Sequence, residues 1–270
     1  MAPEVPDAVA PEAAYWLLIG NSRWHWACQG LDGWRSWHAP PGFGIGGVPM
    51  AGLRNAGVQL AGWAAVGPIP DQLGLDGSAP MGLADIPLQA MPPWLGVDRA
   101  LVGWRAWQLS DSPVLVADAG TALSLTRVDA VGRFVGGRLM AGAALQLRAL
   151  AEGTAQLPKI GVSAGLADGM PAVMATGHWP MATGLWPIQT EAAMGSGVLW
   201  GMAGAIALAA QQVWAEQPDC QIWLTGGDGA QLEPLLAGWL GARSGLEGRL
   251  QWAPDLALEA LAALRPGPGR

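Results

Sequence analysis

The chain has little of what would tie it to a metal framework or to a polyanion. Its two cysteines, Cys28 and Cys220, stand far apart, with no CxxC pattern and no histidine at ligand spacing. Neither a zinc site nor a disulfide framework is expected, and the compartment reads as reducing cytosol. Cations are scarce: 14 Lys and Arg against 21 Asp and Glu leave a net charge of -7. That balance argues against non-specific nucleic-acid binding and against an anionic membrane surface, both of which need clustered Lys and Arg. No nucleic acid and no membrane is expected as a partner, and any polyanionic ligand must be held locally, by backbone N–H groups, a few cations or a metal ion. GxSxG, HExxH and the Walker GxxxxGK pattern are all missing, which removes the familiar hydrolase and P-loop templates. His25, His38 and His178 do not cluster along the chain. The longest apolar stretch, GVLWGMAGAIALAA at residues 197–210, is closed by Gln211 and Gln212. It falls short of the roughly 18 to 20 residues a membrane span needs, so a buried helix rich in small residues is expected.

What is present is core material: 51% of the 270 residues are apolar, enough for one large domain or two of ordinary size. Residues 1–14, MAPEVPDAVAPEAA, have neither the basic start nor the apolar centre of a signal peptide and read as a disordered tail. RPGPGR at residues 265–270 reads the same way. Of the 16 tryptophans, Trp24 and Trp26 fall on one strand face, and core filling is favoured over a stacking platform for bases.

Periodicity predicts strands over 15–28 and 113–140 and helices over 142–152, 191–214 and 229–240, hence a mixed α/β chain. The Gly- and Pro-rich piece at 39–58 begins as a loop and ends in a short helix. WLLIGNSRWHWA and VLVADAGTALSLT share one pattern about a hundred residues apart: apolar strand, glycine with small polar residues, second strand. Two such copies suggest a duplicated fold with a cleft between halves, although unrelated hairpins can share the look. The second copy runs on through a turn at Asp129–Gly132 to a third strand at Phe134–Met140 and a helix near Ala143, a ribonuclease-H-like opening. The expected division is an N-terminal half at 15–112 containing a substrate loop and a C-terminal half at 113–264. Within the latter, QIWLTGGDGAQLEPLL leads a strand through Gly226 and Gly227 into a helix N-terminus, where open α/β sheets commonly bind ligands.

Three short stretches could carry chemistry. Gly20, Asn21, Ser22 and Arg23 can offer backbone and side-chain donors, and one cation, to a phosphate. Asp118, Gly120 and Thr121 sit at a strand-to-strand turn where glycine admits a close ligand, the threonine can donate to phosphate oxygens and the carboxylate could hold a cation. An Asp that merely caps a turn would look the same. LGVDR at residues 95–99 places a carboxylate beside a guanidinium at a helix start. Asp98 is then either a first-turn acid favoured by the helix dipole or a general base with Arg99 as a substrate clamp.

In order, LLIGNSRWHWA, LGVDR, VADAGTALSLTRVDAVGRFVGGRLMAG, LRALAEGTAQLP, TEAAMGSGVLWGMAGAI, LTGGDGAQL and PDLALEAL resemble the type III pantothenate kinase family, over about residues 15–263. The family belongs to the superfamily of acetate kinases, sugar kinases and actin. The resemblance implies a duplicated ribonuclease-H-like, actin-like ATPase fold with two halves around a nucleotide cleft. It implies ATP-dependent phosphorylation of the 4'-hydroxyl of pantothenate, the step that commits to coenzyme A, with Mg2+ and K+ or NH4+. By resemblance Asp98 is the proton acceptor, and Gly96, Val97, Asp98, Arg99 and Thr190 bind pantothenate. Thr121 belongs to the ATP site with the Gly20–Arg23 turn, Asp118 holds the monovalent cation, and the protein is a cytoplasmic homodimer whose partner helps close the pantothenate pocket.

Three departures stand out. Where the family has an Asp in the first hairpin this chain has Leu18; the Asn before the family's threonine is Gln189; and the step after the third strand reads Val66-Gly67-Pro68. Leu18 implies either a metal held by ATP, water and Asp118 or a catalytically dead relative. Joint survival of the base, the cation aspartate, Thr121 and both glycine turns favours activity. Another small-molecule kinase of the superfamily, or an inactive nucleotide-binding regulator, are the alternatives.

Overall fold

In the computed structural model, residues 13–55, 58, 60–67, 69, 79–160, 186–241 and 248–267 are described. His178, Pro68 and most of the two expected tails lie outside them; Ala14, expected in a tail, opens the first strand. Contacts divide the chain into unit 1, Met1–Arg105 with Asp255–Arg270, and unit 2, Ala106–Pro254.

Unit 1 is built on β1 (Ala14–Ile19), β2 (Trp24–Gly30), β3 (Gly33–Ala39) and β4 (Leu60–Ala65), in the order β3-β2-β1-β4. β1 pairs antiparallel with β2 and parallel with β4. Alternation along AYWLLI sends Tyr15, Leu17 and Ile19 into one core with Trp24, Trp26, Trp37, Ile45 and Leu53. Trp26 and Trp37 are register partners whose rings stack 6.0 Å apart at 6°, and the Trp26 indole N–H donates to the Phe43 carbonyl at 3.2 Å. Core filling is therefore what these tryptophans do. Trp16 and Leu18 point to the other face. There the Trp16 indole donates to the carbonyl of Arg265, just past α6 (Leu256–Leu264), at 2.9 Å. The Asp255 carboxylate ahead of α6 accepts from Trp34 Nε1 at 3.2 Å and Ser36 Oγ at 2.8 Å on β3.

β3, β4 and α6 were not among the expected elements. β3, GWRSWHA, is an edge strand in which Arg35, Ser36 and His38 interrupt the apolar residues on both faces, so its apolar signal is weak. The Val66-Gly67 step consequently follows the fourth strand and not the third. The loop at 40–49 does end in a short helix, α1 (Met50–Asn55), and α2 (Val97–Ser110) begins within LGVDR.

Unit 2 contains β5 (Val114–Ala119), β6 (Ala122–Val128), β7 (Phe134–Ala141), β8 (Gln221–Thr225) and β9 (Leu250–Trp252), ordered β7-β6-β5-β8-β9. β5, β6 and β7 form an antiparallel meander, whereas β8 lies parallel to both β5 and β9. This is the ribonuclease-H-like order, and the sheet of unit 1 repeats its first four strands, so the fold is a duplicated, actin-like one. Parallel neighbours require crossover helices. α3 (Ala143–Gly153) and α4 (Thr190–Glu216) lead from β7 to β8, and α5 (Gly229–Gly241) leads on to β9. α4 is longer than its apolar run suggested and by length and composition alone could cross a membrane. Here Val198, Leu199, Met202, Ile206 and Val213 form one buried core with Leu115, Leu123, Ile222 and Leu236, as the amphipathic spacing of a core helix requires.

Candidate functional site

The β1–β2 turn of unit 1 is set by Gly20. Its N–H donates to the Arg23 carbonyl at 3.1 Å, and a Cβ at position 20 would stand 2.7 Å from that oxygen. The end of β4 seals the turn from the other side. The amides of Val66 and Gly67 donate to the Ile19 carbonyl at 2.9 and 3.3 Å, and a Cβ on Gly67 would lie 2.6 Å from the Gly20 carbonyl oxygen. With the backbone so fixed, Asn21, Ser22 and Arg23 project into solvent at the tip, where the expected ATP contacts need them.

Leu18 is buried, with His25 and Ala64 as its register partners. His25 is paired in turn with His38 on β3, so two of the histidines that are scattered in sequence meet in space. Their ring centroids are 4.7 Å apart at 79°. Removal from water lowers the His25 pKa to about 3, and like charge at His38 and Arg23 adds to the effect. The signal for this pair was in the sequence: Gly30-Leu31-Asp32-Gly33 is a hairpin turn, with Gly33 at φ +98°, and it puts position 25 opposite position 38.

Gly96, Val97, Asp98 and Arg99 are gathered in one turn at the start of α2. The N–H of Arg99 donates to Asp98 Oδ1 at 2.8 Å, and the Ala100 N–H donates to the Gly96 carbonyl at 3.1 Å. A Cβ on Gly96 would run into Asp98 Oδ1, so glycine is what lets the carboxylate fold back over the helix start. Burial raises the Asp98 pKa above its ordinary value, and the Arg99 N–H and guanidinium oppose that shift without cancelling it. The Arg99 side chain is itself buried beside it.

In unit 2, Asp118 lies near the end of β5 with Ser124 and Thr225 as register partners. Gly226, at φ +89°, closes over it: a Cβ there would stand 2.5 Å from the Ala119 carbonyl oxygen and 2.6 Å from Asp118 Oδ1. The Asp228 N–H donates to that same Ala119 oxygen at 2.9 Å. The β5–β6 turn is tied by Gly120 N–H to the Ala122 carbonyl and by Gly142 N–H to the Thr121 carbonyl, each at 3.1 Å. Thr121 is left exposed at the tip. The Asp118 carboxylate and the Ala119 carbonyl oxygen both lie against Gly226, and oxygen donors are what hard cations prefer. Thr190 is the first residue of α4 and exposed, and Gln189 before it makes no side-chain cap hydrogen bond. Within each unit the expected residues are thus grouped: Gly20–Arg23 and Gly96–Arg99 in unit 1, Asp118, Gly120 and Thr121 in unit 2.

Comparison with known proteins adds a family. The type III pantothenate kinase family model matches residues 84–212. The type III pantothenate kinase of Synechococcus elongatus is 35% identical over 230 residues, covering 82% of this chain and 86% of that protein. That of Thermosynechococcus vestitus is 35% identical over 236 residues, covering 86% of this chain and 85% of its own length. Among solved structures, a protein named as a Baf family transcriptional activator from Campylobacter jejuni superposes with a TM-score of 0.51 at 16% identity, covering 93% of this chain and 96% of that one. One named as a 2-dehydro-3-deoxygalactonokinase from Sinorhizobium meliloti gives 0.50 at 19% identity, covering 93% and 97%. At such identity the structural likeness speaks to the fold alone.

Proposed function

The chain belongs to the type III pantothenate kinase family and phosphorylates pantothenate with ATP, the first step of coenzyme A biosynthesis, and from that premise we propose how its own residues divide the work. Phosphoryl transfer asks a protein chiefly for positioning and for neutralisation of phosphate charge. The observation that carries the assignment is Asp98, a carboxylate with a raised pKa, oriented by a backbone N–H and set beside a buried guanidinium.

Asp98 is the proton acceptor. The pantothenate hydroxyl is far too weak an acid to ionise first, so its proton passes to Asp98 as the new oxygen–phosphorus bond forms. A base whose pKa is raised toward the working pH accepts it more effectively. Arg99, with the backbone of Gly96 and Val97, orients pantothenate; the family resemblance also assigns Thr190, in unit 2, to pantothenate. In unit 1, Gly20, Asn21, Ser22 and Arg23 hold ATP phosphates; in unit 2 the family resemblance assigns Thr121 to ATP. Asp118 holds K+ or NH4+, for which its oxygen surroundings fit. Mg2+ neutralises triphosphate charge when bound. Leu18 offers no ligand, so that ion would be held by the ATP phosphates, water and Asp118. We take the enzyme to be cytoplasmic and a homodimer; Leu208 on α4 and Trp239 on α5, 54% and 49% exposed, are apolar surface that a second copy would cover.

A coupled assay with ATP, Mg2+ and K+, run with and without pantothenate, tests the reading. ATP consumption that depends on pantothenate is expected; consumption driven instead by another alcohol in a substrate panel would overturn it.

A further inference from the structure

We propose that His25 and His38, together with Arg23, form a phosphate-holding edge on the first hairpin that works without a metal ion, in place of the carboxylate contact that Leu18 does not supply. The inference rests on the reading of this turn as an ATP site.

The geometry begins with the sheet. Ala64, Leu18, His25 and His38 are successive register partners across β4, β1, β2 and β3, so all four share one face, the one opposite the tryptophan core. His25 reaches toward the turn: its Nε2 lies 3.5 Å from the place a Cβ on Gly20 would occupy. The imidazole edge thus lies within contact distance of the turn that Gly20 shapes. Neither ring has a hydrogen-bond partner among the described residues, whereas a histidine kept for structure alone normally holds one.

Charge points the same way. Arg23 acts on both imidazoles as a like charge, and the acid felt at His38 is Asp255, which already accepts from Trp34 and Ser36. Burial lowers the pKa of both imidazoles, so near neutral pH they stand as uncharged polar groups beside the one cation of the three, Arg23. Because burial keeps His25 neutral near pH 7, it presents an N–H donor to a phosphate oxygen. A carboxylate in Leu18's place would need a cation between itself and the phosphate; an imidazole donor does not. The fold does not demand histidines here, since the corresponding row in unit 2 reads Asp118, Ser124 and Leu139.

The test is calorimetric binding of ATP and of inorganic tripolyphosphate to the full chain, in EDTA and in Mg2+. Wild-type protein is expected to bind both ligands in EDTA. His25→Gln and His38→Gln should each weaken that metal-free binding roughly tenfold, the worth of one hydrogen bond to a charged group. Leu18→Asp should weaken it further while sparing binding in Mg2+. Metal-free affinity within twofold of wild type in both histidine variants, or no binding to wild type in EDTA, would overturn the proposal. If His25→Gln does not fold, His38→Gln and Arg23→Gln at exposed positions decide the matter. The function itself is read separately: a protein that binds ATP in EDTA through these histidines yet consumes none with pantothenate keeps this inference and sinks that of the preceding subsection.

Discussion

The two hairpins, β1–β2 in unit 1 and β5–β6 in unit 2, share a backbone and differ in what hangs from it. In both, the carbonyl of the first strand's last residue, Ile19 or Ala119, accepts an N–H from the residues after the parallel neighbour strand. In both, a glycine beyond that neighbour, Gly67 or Gly226, comes too close for any Cβ. Yet the equivalent side chains read Leu18, His25 and His38 in one and Asp118, Ser124 and Leu139 in the other. Duplication preserved the closure of the turn, which depends on main-chain atoms, and left the ligand chemistry free to diverge. One hairpin carries a carboxylate and a hydroxyl in this row, while the other carries two imidazoles.

The largest effect comes from a change that leaves both hairpins untouched and asks whether they serve one reaction. Asp98→Asn should keep the fold and pantothenate binding and lower kcat about a hundredfold or more, the usual worth of a general base; steady-state kinetics with circular dichroism checks this. Next, the hairpins can be set against each other. Asp118→Ala should abolish activation by K+ and lower kcat by about tenfold, given the worth of electrostatic stabilisation of developing charge, with no change in metal-free ATP binding. If K+ dependence survives, the cation is held elsewhere.

Gly226→Ala sharpens the backbone side of the comparison. Strain at φ +89° should cost on the order of 1 to 3 kcal/mol, and overlap with the Ala119 oxygen adds to it; thermal or urea unfolding reads the loss. The smallest effect is one of pH. Asp98 must be ionised to accept a proton, and its pKa is raised, so the acid limb of kcat/KM should lie above the ordinary 3.8. The stability sign is opposite: the folded state binds this proton more tightly than the unfolded one. Stability from this group is full below the unfolded pKa and lost as pH rises through the raised value. At neutral pH Asp98→Asn should therefore be slightly more stable than wild type while nearly inactive, as urea midpoints would show.

Features resting on local spacing were legible in the sequence. The small-residue run of α4, the glycine turns at 20 and 120, and the carboxylate–guanidinium pair at the start of α2 are all short-range patterns, and the structure has them. What escaped depends on pairing between distant segments. β3 looks polar because Arg35, Ser36 and His38 break up its apolar residues, and β4 is a short Ala- and Gly-containing strand that becomes one through β1. The expected division in chain order gives no hint that α6 packs within unit 1, since nothing in LALEALAAL names the sheet it covers. The His25–His38 contact needed only the hairpin at Gly30–Gly33, but three histidines counted along the chain do not suggest a pair across strands.

The bond from the Trp16 indole to the Arg265 carbonyl joins residues 249 positions apart and so bears on how the chain is made. Unit 2 is one continuous piece and can begin folding as it leaves the ribosome. Unit 1 has its first strand translated early and the helix that packs on that strand, ending beside Trp16, translated late. Until residues 255–265 emerge, that apolar face stays open. Translation pauses or chaperones that shield the nascent β1–β4 sheet should therefore matter more to the yield of this kinase than anything acting on unit 2.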